Sequence, residues 1–308
     1  MSVLVAGTVA IDNIKTPTES HENLLGGSAS FAAIAARFLS DPTHVVGVIG
    51  DDFPTEHLEL FKSLDLSTDG LQIIKGGSSF KWHGEYFDNM NRRETLDTHL
   101  GVIETFMPQF PLEVAKSNVV LLANMSPRNQ LDTLTLCQDP GFVIADTMDL
   151  WINIAREDLE ELLGKINLLI INDSEAQQLT ETHNNIIAGD RLLALGPPHV
   201  IIKKGEHGAL LFSNRGDFFS AGAYPIRDLH DPTGAGDTFA GGIAGYLAQK
   251  NKSKDDVTFD DIAHAILYGT VLASFTCESF STHRLANLSK EEISHRLDDL
   301  KSHAKITL

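Results

Sequence analysis

The sequence predicts an α/β fold, built on a doubly wound, mainly parallel sheet with helices on both faces. Continuous apolar runs recur along the chain, and the segments between them carry apolar residues at helical spacing, as at Leu159, Leu162 and Leu163. Fully apolar strands that alternate with helices indicate a parallel sheet that is buried on both faces. The predicted strands cover residues 3–6, 44–49, 119–122, 142–145, 168–171 and 200–202.

The composition is typical of a soluble globular protein, and we expect neither nucleic acid nor a membrane as its partner. The 308 residues suffice for one large α/β domain, so we expect a single domain over residues 1–308. A net charge of −18 argues against nucleic acid or an anionic membrane, although a local pocket can still bind a nucleotide. Cys137 and Cys277 show no metal-ligand spacing, and the chain starts with an apolar strand rather than a signal peptide, so we expect a cytoplasmic protein.

The first hundred residues combine strands of the sheet with a glycine pair at the start of a helix. Small residues at Gly26-Gly27 would let a ligand approach the backbone closely, and the acidic pair after the strand at 44–49 is interpreted as structural. Two further strands are predicted at 71–75 and 80–87. The second of these contains a cluster of aromatic residues: Phe80, Trp82, Tyr86 and Phe87.

The stretch from residue 231 to 247 carries the strongest functional signal. Gly234-Ala235-Gly236 form a flexible elbow, and apolar residues beyond it recur at helical spacing, so a helix is predicted to begin there. N–H groups at a helix start can bind an anion, and Asp237 would lie beside that anion. The pairing suits a base that deprotonates an alcohol as it attacks a phosphoryl group. The alternative is an Asp that favours the first helical turn, with glycines that serve a tight turn.

Residues 231–239 read Asp-Pro-Thr-Gly-Ala-Gly-Asp-Thr-Phe, and this run resembles the C-terminal signature of the ribokinase-like (PfkB) carbohydrate kinase family. It has neither the Gly-Lys-Ser/Thr ending of a Walker loop nor the third glycine of a dinucleotide motif. Further elements resemble the family in its own order: Gly26-Gly27, Gly50-Asp51-Asp52-Phe53, Asn172 with Glu175, and Lys203-x-Gly205-x-x-Gly208. The resemblance therefore spans most of the chain.

The resemblance implies a ribokinase-like fold in which a small discontinuous β-lid covers the acceptor substrate. The lid segments are expected at roughly residues 12–25 and 78–106, and such a lid excludes water from phosphoryl transfer. Family members commonly carry Asn at the position of Phe31, so the hydroxyl pattern of the acceptor is left open. By resemblance, the residues that bind the acceptor are Asp12, Gly26, Gly27 and Ser30.

The resemblance also implies ATP as the phosphate donor and assigns the elbow a catalytic role. Asp237 would be the base, and the N–H groups of Ala235, Gly236 and Asp237, at the elbow Gly234-Ala235-Gly236, would hold the charge of the transferring phosphoryl group. The residues expected to bind the nucleotide are Lys203, Gly205, Gly208 and Thr233.

A magnesium ion is the second cofactor that the resemblance implies. Asn172 and Glu175 would lie near Mg²⁺ and hold it mainly through water, because hard oxygen ligands suit this ion. A helix cap formed by Asn172 or Ser174 explains the same residues equally well. The resemblance leaves open whether a monovalent cation also binds.

The activity implied is ATP-dependent transfer of the γ-phosphoryl group to a hydroxymethyl group of a sugar. A nucleoside kinase of the adenosine type is the nearest alternative, because a base can stack on the aromatic residues of the expected lid. A kinase of a phosphosugar is the next, with Arg92 and Arg93 as ligands of the phosphate. A relative that binds its ligand without catalysis is the alternative from a different class. A homodimer formed through the lid is also left open.

Overall fold

The structure, a computed structural model, describes residues 1–87, 90 and 93–303. Its strands are β1 (Val3–Ala6), β2 (Ala10–Lys15), β3 (Ser20–Gly26), β4 (Thr43–Gly50), β5 (Ser67–Ile74), β6 (Phe80–Tyr86), β7 (Arg93–His99), β8 (Val119–Leu122), β9 (Phe142–Asp146), β10 (Leu168–Asn172), β11 (His199–Lys203), β12 (Ala209–Ser213) and β13 (Phe218–Ala221). Its helices are α1 (Ser28–Ala36), α2 (Thr55–Ser63), α3 (Leu112–Ala115), α4 (Pro127–Leu136), α5 (Asp149–Ile154), α6 (Arg156–Leu163), α7 (Asp173–Thr180), α8 (Asn185–Ala194), α9 (Ala235–Lys250), α10 (Phe259–Thr276), α11 (His283–Ala286) and α12 (Lys290–His303).

The main sheet has nine strands in the order β13-β12-β11-β10-β9-β8-β1-β4-β5. Neighbouring strands from β11 to β5 are parallel, whereas β12 and β13 are antiparallel and form one edge. The central strands are apolar along their whole length because both faces of the sheet are covered. The predicted doubly wound, mainly parallel α/β fold is confirmed.

Helices on the two faces of this sheet enclose two separate apolar cores. One core includes side chains of α1, α9 and α10, and the other includes side chains of α4, α6, α7 and α8. This packing fixes the start of α9 against the sheet. None of the helices in the described ranges is long and apolar enough to cross a membrane.

A second sheet of four strands, in the order β3-β2-β6-β7, stands apart from the main sheet. Its strands run through residues 10–26 and 80–99, which overlap the two segments expected to form the lid. The predicted strands at 71–75 and 80–87 therefore belong to different sheets, since β5 is parallel to β4 in the main sheet. That the second sheet closes over a substrate stays a prediction.

The carboxyl ends of the parallel strands all lie at the same end of the main sheet, and several polar residues lie there. Asp146, Asn172 and Lys203 are the last residues of β9, β10 and β11. In open α/β sheets, ligands bind outside the carboxyl ends of the strands. The second sheet, named the lid sheet from here on after that prediction, starts from the same end of the main sheet, because β2 follows β1 after a short turn.

Candidate active site

The elbow has the backbone conformation that the sequence predicts. Gly234 has a φ of 76°, in the left-handed region, and α9 begins at the next residue. The ring of Phe31 lies against Gly234 so closely that a Cβ at this position would overlap it. Gly234 is therefore required by its φ angle and by this contact. Phe31 is 1 % exposed, so it supports the elbow from beneath.

Of the three N–H groups expected to hold the phosphoryl charge, those of Ala235, Gly236 and Asp237, one is already used within the turn. The N–H of Ala235 donates to the carbonyl of Pro232 at 3.1 Å, which closes the turn before the helix. This geometry does not support the expectation that Ala235 contacts a phosphoryl group. Gly236 and Asp237 lie in the first turn of α9, where N–H groups have no intrahelical partner.

Asp237 is a half-buried carboxylate whose pKa is raised toward neutral pH. Burial is the main cause, and the nearby charge of Asp146 adds to it, so the pKa of Asp237 is raised to about 7. The positive charges of Lys203 and Arg93 oppose this shift in pKa. A carboxyl group with a pKa near 7 has the proton affinity that suits general base catalysis at neutral pH.

Lys203 joins the strand ends to the elbow. Its ammonium nitrogen lies 3.2 and 3.3 Å from the two carboxylate oxygens of Asp146. The same nitrogen would lie 3.2 Å from a Cβ at Gly236, so the ammonium is next to the elbow backbone. Burial is the larger effect and raises the pKa of Asp146, and the charge of Lys203 opposes this rise. Asp146 was not predicted, although it directly follows the apolar run at 142–145, where a ligand residue is expected.

Asn172 and Glu175 form a reciprocal cap at the start of α7. The Asn172 side-chain oxygen accepts from the Glu175 N–H at 2.8 Å, and the Glu175 carboxylate accepts from the Asn172 N–H at 3.0 Å. The helix-cap interpretation is therefore correct, and it does not exclude a metal. Burial raises the pKa of Glu175 to about 7, while Lys203 opposes the shift. Across residues 1–87, 90 and 93–303, no three acidic, His or Cys side chains come together as metal ligands.

On the lid side, Asp12 projects from β2 and packs directly on Gly26. A Cβ at Gly26 would overlap the carboxylate of Asp12, and Gly27 has a φ of 91°. Burial, together with the charges of Asp231 and Asp237, raises the pKa of Asp12 to about 8. Ser30 is fully buried, and its hydroxyl donates to the Gly26 carbonyl at 2.7 Å. The geometry does not support a contact between Ser30 and the acceptor.

One hydrogen bond connects the lid sheet to the residue that precedes the elbow. The Thr233 hydroxyl donates to the Tyr86 hydroxyl oxygen at 2.9 Å, and the Thr233 N–H donates to Asp231 at 2.9 Å. Thr233, expected to bind the nucleotide, therefore turns its hydroxyl to the lid. The guanidinium of Arg93 lies 5.2 Å from the Trp82 ring centroid. Arg92 lies outside the described residues.

A cavity of about 480 Å³ opens on the other side of the elbow. It extends from Lys203 and Gly236 toward α10 and the segment after β13. Its walls combine apolar side chains with a few hydroxyl groups, as small-molecule sites commonly do. Residues that line it include Gly205, Gly208, Tyr224, Phe239, Thr270 and Ser274. Two of the predicted nucleotide-binding glycines, Gly205 and Gly208, form the turn between β11 and β12.

Comparison with known proteins defines the family. Residues 3–287 match the pfkB family carbohydrate kinase profile. The chain is 30 % identical over 255 residues to the cytidine kinase of Thermococcus kodakarensis, covering 80 % of this chain and 88 % of that protein. It is 26 % identical over 275 residues to the nucleoside kinase of Methanothermobacter thermautotrophicus, covering 88 % and 84 %. A structure assigned to a ribokinase II from E. coli, in complex with ATP and Mg²⁺, matches with a TM-score of 0.77 at 15 % identity, covering 97 % and 99 %.

The chain belongs to the pfkB family of carbohydrate kinases, because the profile covers nearly its whole length. This finding confirms the predicted family and the predicted enzyme class, a phosphotransferase with an alcohol group as acceptor. The structural match confirms the ribokinase-like fold.

Proposed function

We propose that this protein is an ATP-dependent kinase that phosphorylates the hydroxymethyl group of a nucleoside. The observation that carries the proposal is the position of Asp237, in the first turn of α9 beside the Lys203 ammonium. Asp237 also interacts electrostatically with Asp12 of the lid sheet, so the cleft between the two carboxylates holds the acceptor. A base there can take the hydroxyl proton while the elbow and Lys203 stabilise the transferring phosphoryl group.

The donor, ATP, would occupy the cavity beside the elbow. The triphosphate would run along Gly236 toward Lys203, and the base would lie among the apolar side chains at the far end. The cavity ends at the same Gly236 that begins the anion-binding turn, so the γ-phosphoryl group would point to Asp237. Water is excluded from this point by Phe31 beneath and by the lid sheet above, which protects ATP from hydrolysis.

Asn172 and Glu175 fit a magnesium ion held through water. Both offer oxygen atoms, which Mg²⁺ prefers, and the Glu175 carboxyl interacts electrostatically with Lys203 and Asp146 at the edge of the phosphate path. Asn172 and Glu175 would hold the ion, which would supply positive charge that offsets the charge of the phosphates. The capping bonds orient both side chains, as hydrogen bonds around a metal ligand commonly do.

A nucleoside is favoured over a free sugar by the relatives and by the lid. Two of the relatives above are a cytidine kinase and a nucleoside kinase. The half-buried Trp82 on β6 is an aromatic side chain of the kind on which a base stacks, once the Arg93 guanidinium that lies 5.2 Å from its ring centroid is displaced. The Asp12 carboxylate can accept two hydrogen bonds from a ribose diol while the 5′-hydroxymethyl group points to Asp237.

A coupled assay of ATP consumption tests the proposal. The panel contains ribose, fructose, a phosphosugar, cytidine, adenosine and inosine, each with Mg²⁺ and ATP. We expect turnover of at least one nucleoside with a higher kcat/KM than that of any sugar. Best turnover of a sugar would replace the nucleoside by a sugar acceptor, and best turnover of a phosphosugar would favour Arg93 as a phosphate ligand. Binding of an acceptor without any turnover would favour the catalytically silent relative.

Two finer expectations go with the proposal, and each has its own measurement. Activation by a monovalent cation is tested by comparing rates in potassium and in tetramethylammonium salts. A homodimer through the lid is supported by β7, whose residues are all exposed along the edge of the lid sheet. Sedimentation at several protein concentrations measures the oligomeric state. A cytoplasmic location is supported by Cys137 and Cys277, which are both free thiols.

A further inference from the structure

We propose that Asn124 selects the acceptor by donating a hydrogen bond from its amide to a carbonyl oxygen on the nucleobase. This inference rests on the proposed nucleoside kinase function. Asn124 follows β8, and β8 lies between β9 and β1 in the main sheet. The end of β9 carries Asp146, which pairs with Lys203, and the end of β1 leads into the lid strand with Asp12. The carboxyl end of β8 therefore lies between the Asp146–Lys203 pair and the strand β1 that leads into the lid sheet.

Contacts of the backbone connect Asn124 to the acceptor side of the cleft. The Ser28 hydroxyl donates to the Asn124 carbonyl at 2.9 Å, and it accepts from the Thr8 N–H at 3.1 Å. Ser28 directly follows the Gly26-Gly27 pair on which Asp12 packs. The Asn124 backbone is thus bonded to the residue that follows the turn supporting the predicted ribose ligand, which places Asn124 next to the proposed acceptor site.

The orientation of the Asn124 side-chain amide is fixed by a hydrogen bond from the indole N–H of Trp151. The indole N–H of Trp151 donates to the Asn124 side-chain oxygen at 2.9 Å. Because an indole nitrogen is only a donor, this bond identifies the oxygen end of the amide and leaves the nitrogen end pointing the other way. Trp151 lies on α5, which begins directly after Met148.

The nitrogen end of the amide has a partner that a ligand can readily displace. Its contact is the Met148 sulfur, at 3.1 Å, and a thioether is a weak acceptor. A carbonyl oxygen from a substrate would replace this contact with a stronger hydrogen bond. Asn124, Met148 and Trp151 are all half-buried, so the amide lies between an indole and a thioether and is still accessible. Such a frame suits a flat ring that carries a carbonyl group, and a free sugar offers no such ring.

The test compares acceptors that differ in the ring carbonyl, using purified full-length protein. Cytidine has a ring carbonyl, adenosine has none, and ribose has no ring base. We expect wild type to prefer cytidine over adenosine. Asn124→Asp retains the acceptor for Trp151 but removes the N–H donors, so kcat/KM for cytidine should fall about 10- to 100-fold, mainly through KM. Adenosine and ribose should change by less than about threefold. Asn124→Ala should give the same pattern, and Asn129→Asp on α4 is the matched control for the added charge.

Each other outcome identifies what has failed. An equal loss with all three acceptors would assign Asn124 a structural role and overturn the inference. Unchanged cytidine kinetics in both Asn124 variants, or a wild-type preference for adenosine, would overturn it as well. If the wild type turns over ribose and neither nucleoside, the proposed nucleoside acceptor is wrong, and the inference fails with it for that separate reason.

Discussion

Asp12 and Asp237 are carboxylates of the same type that interact electrostatically from two different parts of the molecule. Asp12 projects from β2 of the lid sheet, and Asp237 lies in the first turn of α9 on the main body. Burial raises the pKa of each, to about 8 for Asp12 and to about 7 for Asp237, and the charge of Asp237 is one of the further causes for Asp12. Proximity alone therefore does not distinguish their roles.

The surroundings of the two carboxylates differ in where positive charge is fixed. Asp237 has Lys203 and the start of α9 beside it, whereas Asp12 packs on Gly26, and among the described residues the cation that lowers its pKa is Arg93 of β7, which also acts on Asp237. Lys203 and the start of α9 are positive groups with fixed positions, and such groups can stabilise the charge that develops during phosphoryl transfer. We therefore assign the chemical step to Asp237 and the binding of the acceptor to Asp12.

The largest expected effect is that of Asp237→Asn. Asn keeps the size of the side chain but cannot take a proton, so kcat should fall by about 10²–10⁴, the usual contribution of a general base. The KM for ATP and the melting temperature should stay close to wild type, because no donor contact and no core residue is lost. Steady-state kinetics and thermal unfolding measure both. Normal turnover would leave Asp237 as a helix-start residue, and unfolding would make its role structural.

The matching change on the lid, Asp12→Asn, should act on a different kinetic constant. At about pH 9, where Asp12 with its raised pKa of about 8 is mostly ionised, loss of the charged acceptor of hydrogen bonds should raise the KM for the nucleoside about 10- to 100-fold, since such bonds contribute about 1.5–3 kcal/mol each. The kcat value at saturating acceptor should change much less than in Asp237→Asn. A fall in kcat as large as that of Asp237→Asn, at unchanged KM, would remove the distinction between the two carboxylates.

A smaller effect is expected at the proposed magnesium site. Glu175→Gln preserves the size of the capping side chain but removes its charge, so the Mg²⁺ concentration for half-maximal rate should rise about tenfold, the scale of an outer-shell ligand. The KM for the nucleoside should be unaffected, because Glu175 lies on the phosphate side. Titration of the rate with Mg²⁺ measures this, and an unchanged midpoint would leave Glu175 as part of the helix cap alone.

The smallest expected effect concerns the bond that connects the two regions. Tyr86→Phe removes the hydroxyl that accepts from Thr233, and kcat/KM for the acceptor should fall about two- to tenfold, as for one neutral hydrogen bond. Burial raises the pKa of Tyr86 to about 12, so this hydroxyl stays protonated in the assay. Thr233→Val should have a similar effect, and the double variant should be no worse than either single one. Additive losses would show that the two hydroxyls act independently.

The elbow could be predicted from the sequence because all its parts are contiguous. Gly234, Ala235, Gly236 and Asp237 are neighbours in the chain, so a turn, a helix start and a carboxylate can be inferred together. The same local inference overestimated Ala235, whose N–H is used by Pro232 within the turn. The geometry of this turn depends on the φ angle of Gly234, and the spacing of residues in the sequence does not predict that angle.

The contacts that join distant segments of the chain were less predictable than the elbow. Tyr86 meets Thr233 across 147 positions, and Asp146 meets Lys203 across 57. No sequence period indicates such pairs, although the position of Asp146 at the end of an apolar strand was a usable signal. The replacement of the family's Asn by Phe31 left the hydroxyl pattern of the acceptor open, and the structure shows that the Phe31 ring lies against Gly234 of the elbow. A residue on a buried helix cannot be assigned to a neighbour before the packing is known.

The pH dependence of kcat/KM for ATP, measured on wild type and Asp237→Asn between pH 5 and pH 9, tests the central role of Asp237 most directly. Asp237 must be ionised to take a proton, and its raised pKa of about 7 means that the ionised fraction falls as the pH drops below that value. The variant lacks this group, while the titrations of ATP and of Glu175 affect both enzymes. The acceptor is kept saturating at every pH, so that the titration of Asp12, whose pKa the Asp237 charge helps to raise, does not enter the ratio. The ratio of wild type to variant should therefore be constant above about pH 8 and fall about tenfold per pH unit below about pH 6. A ratio that is the same at every pH would contradict the assignment of Asp237 as the base.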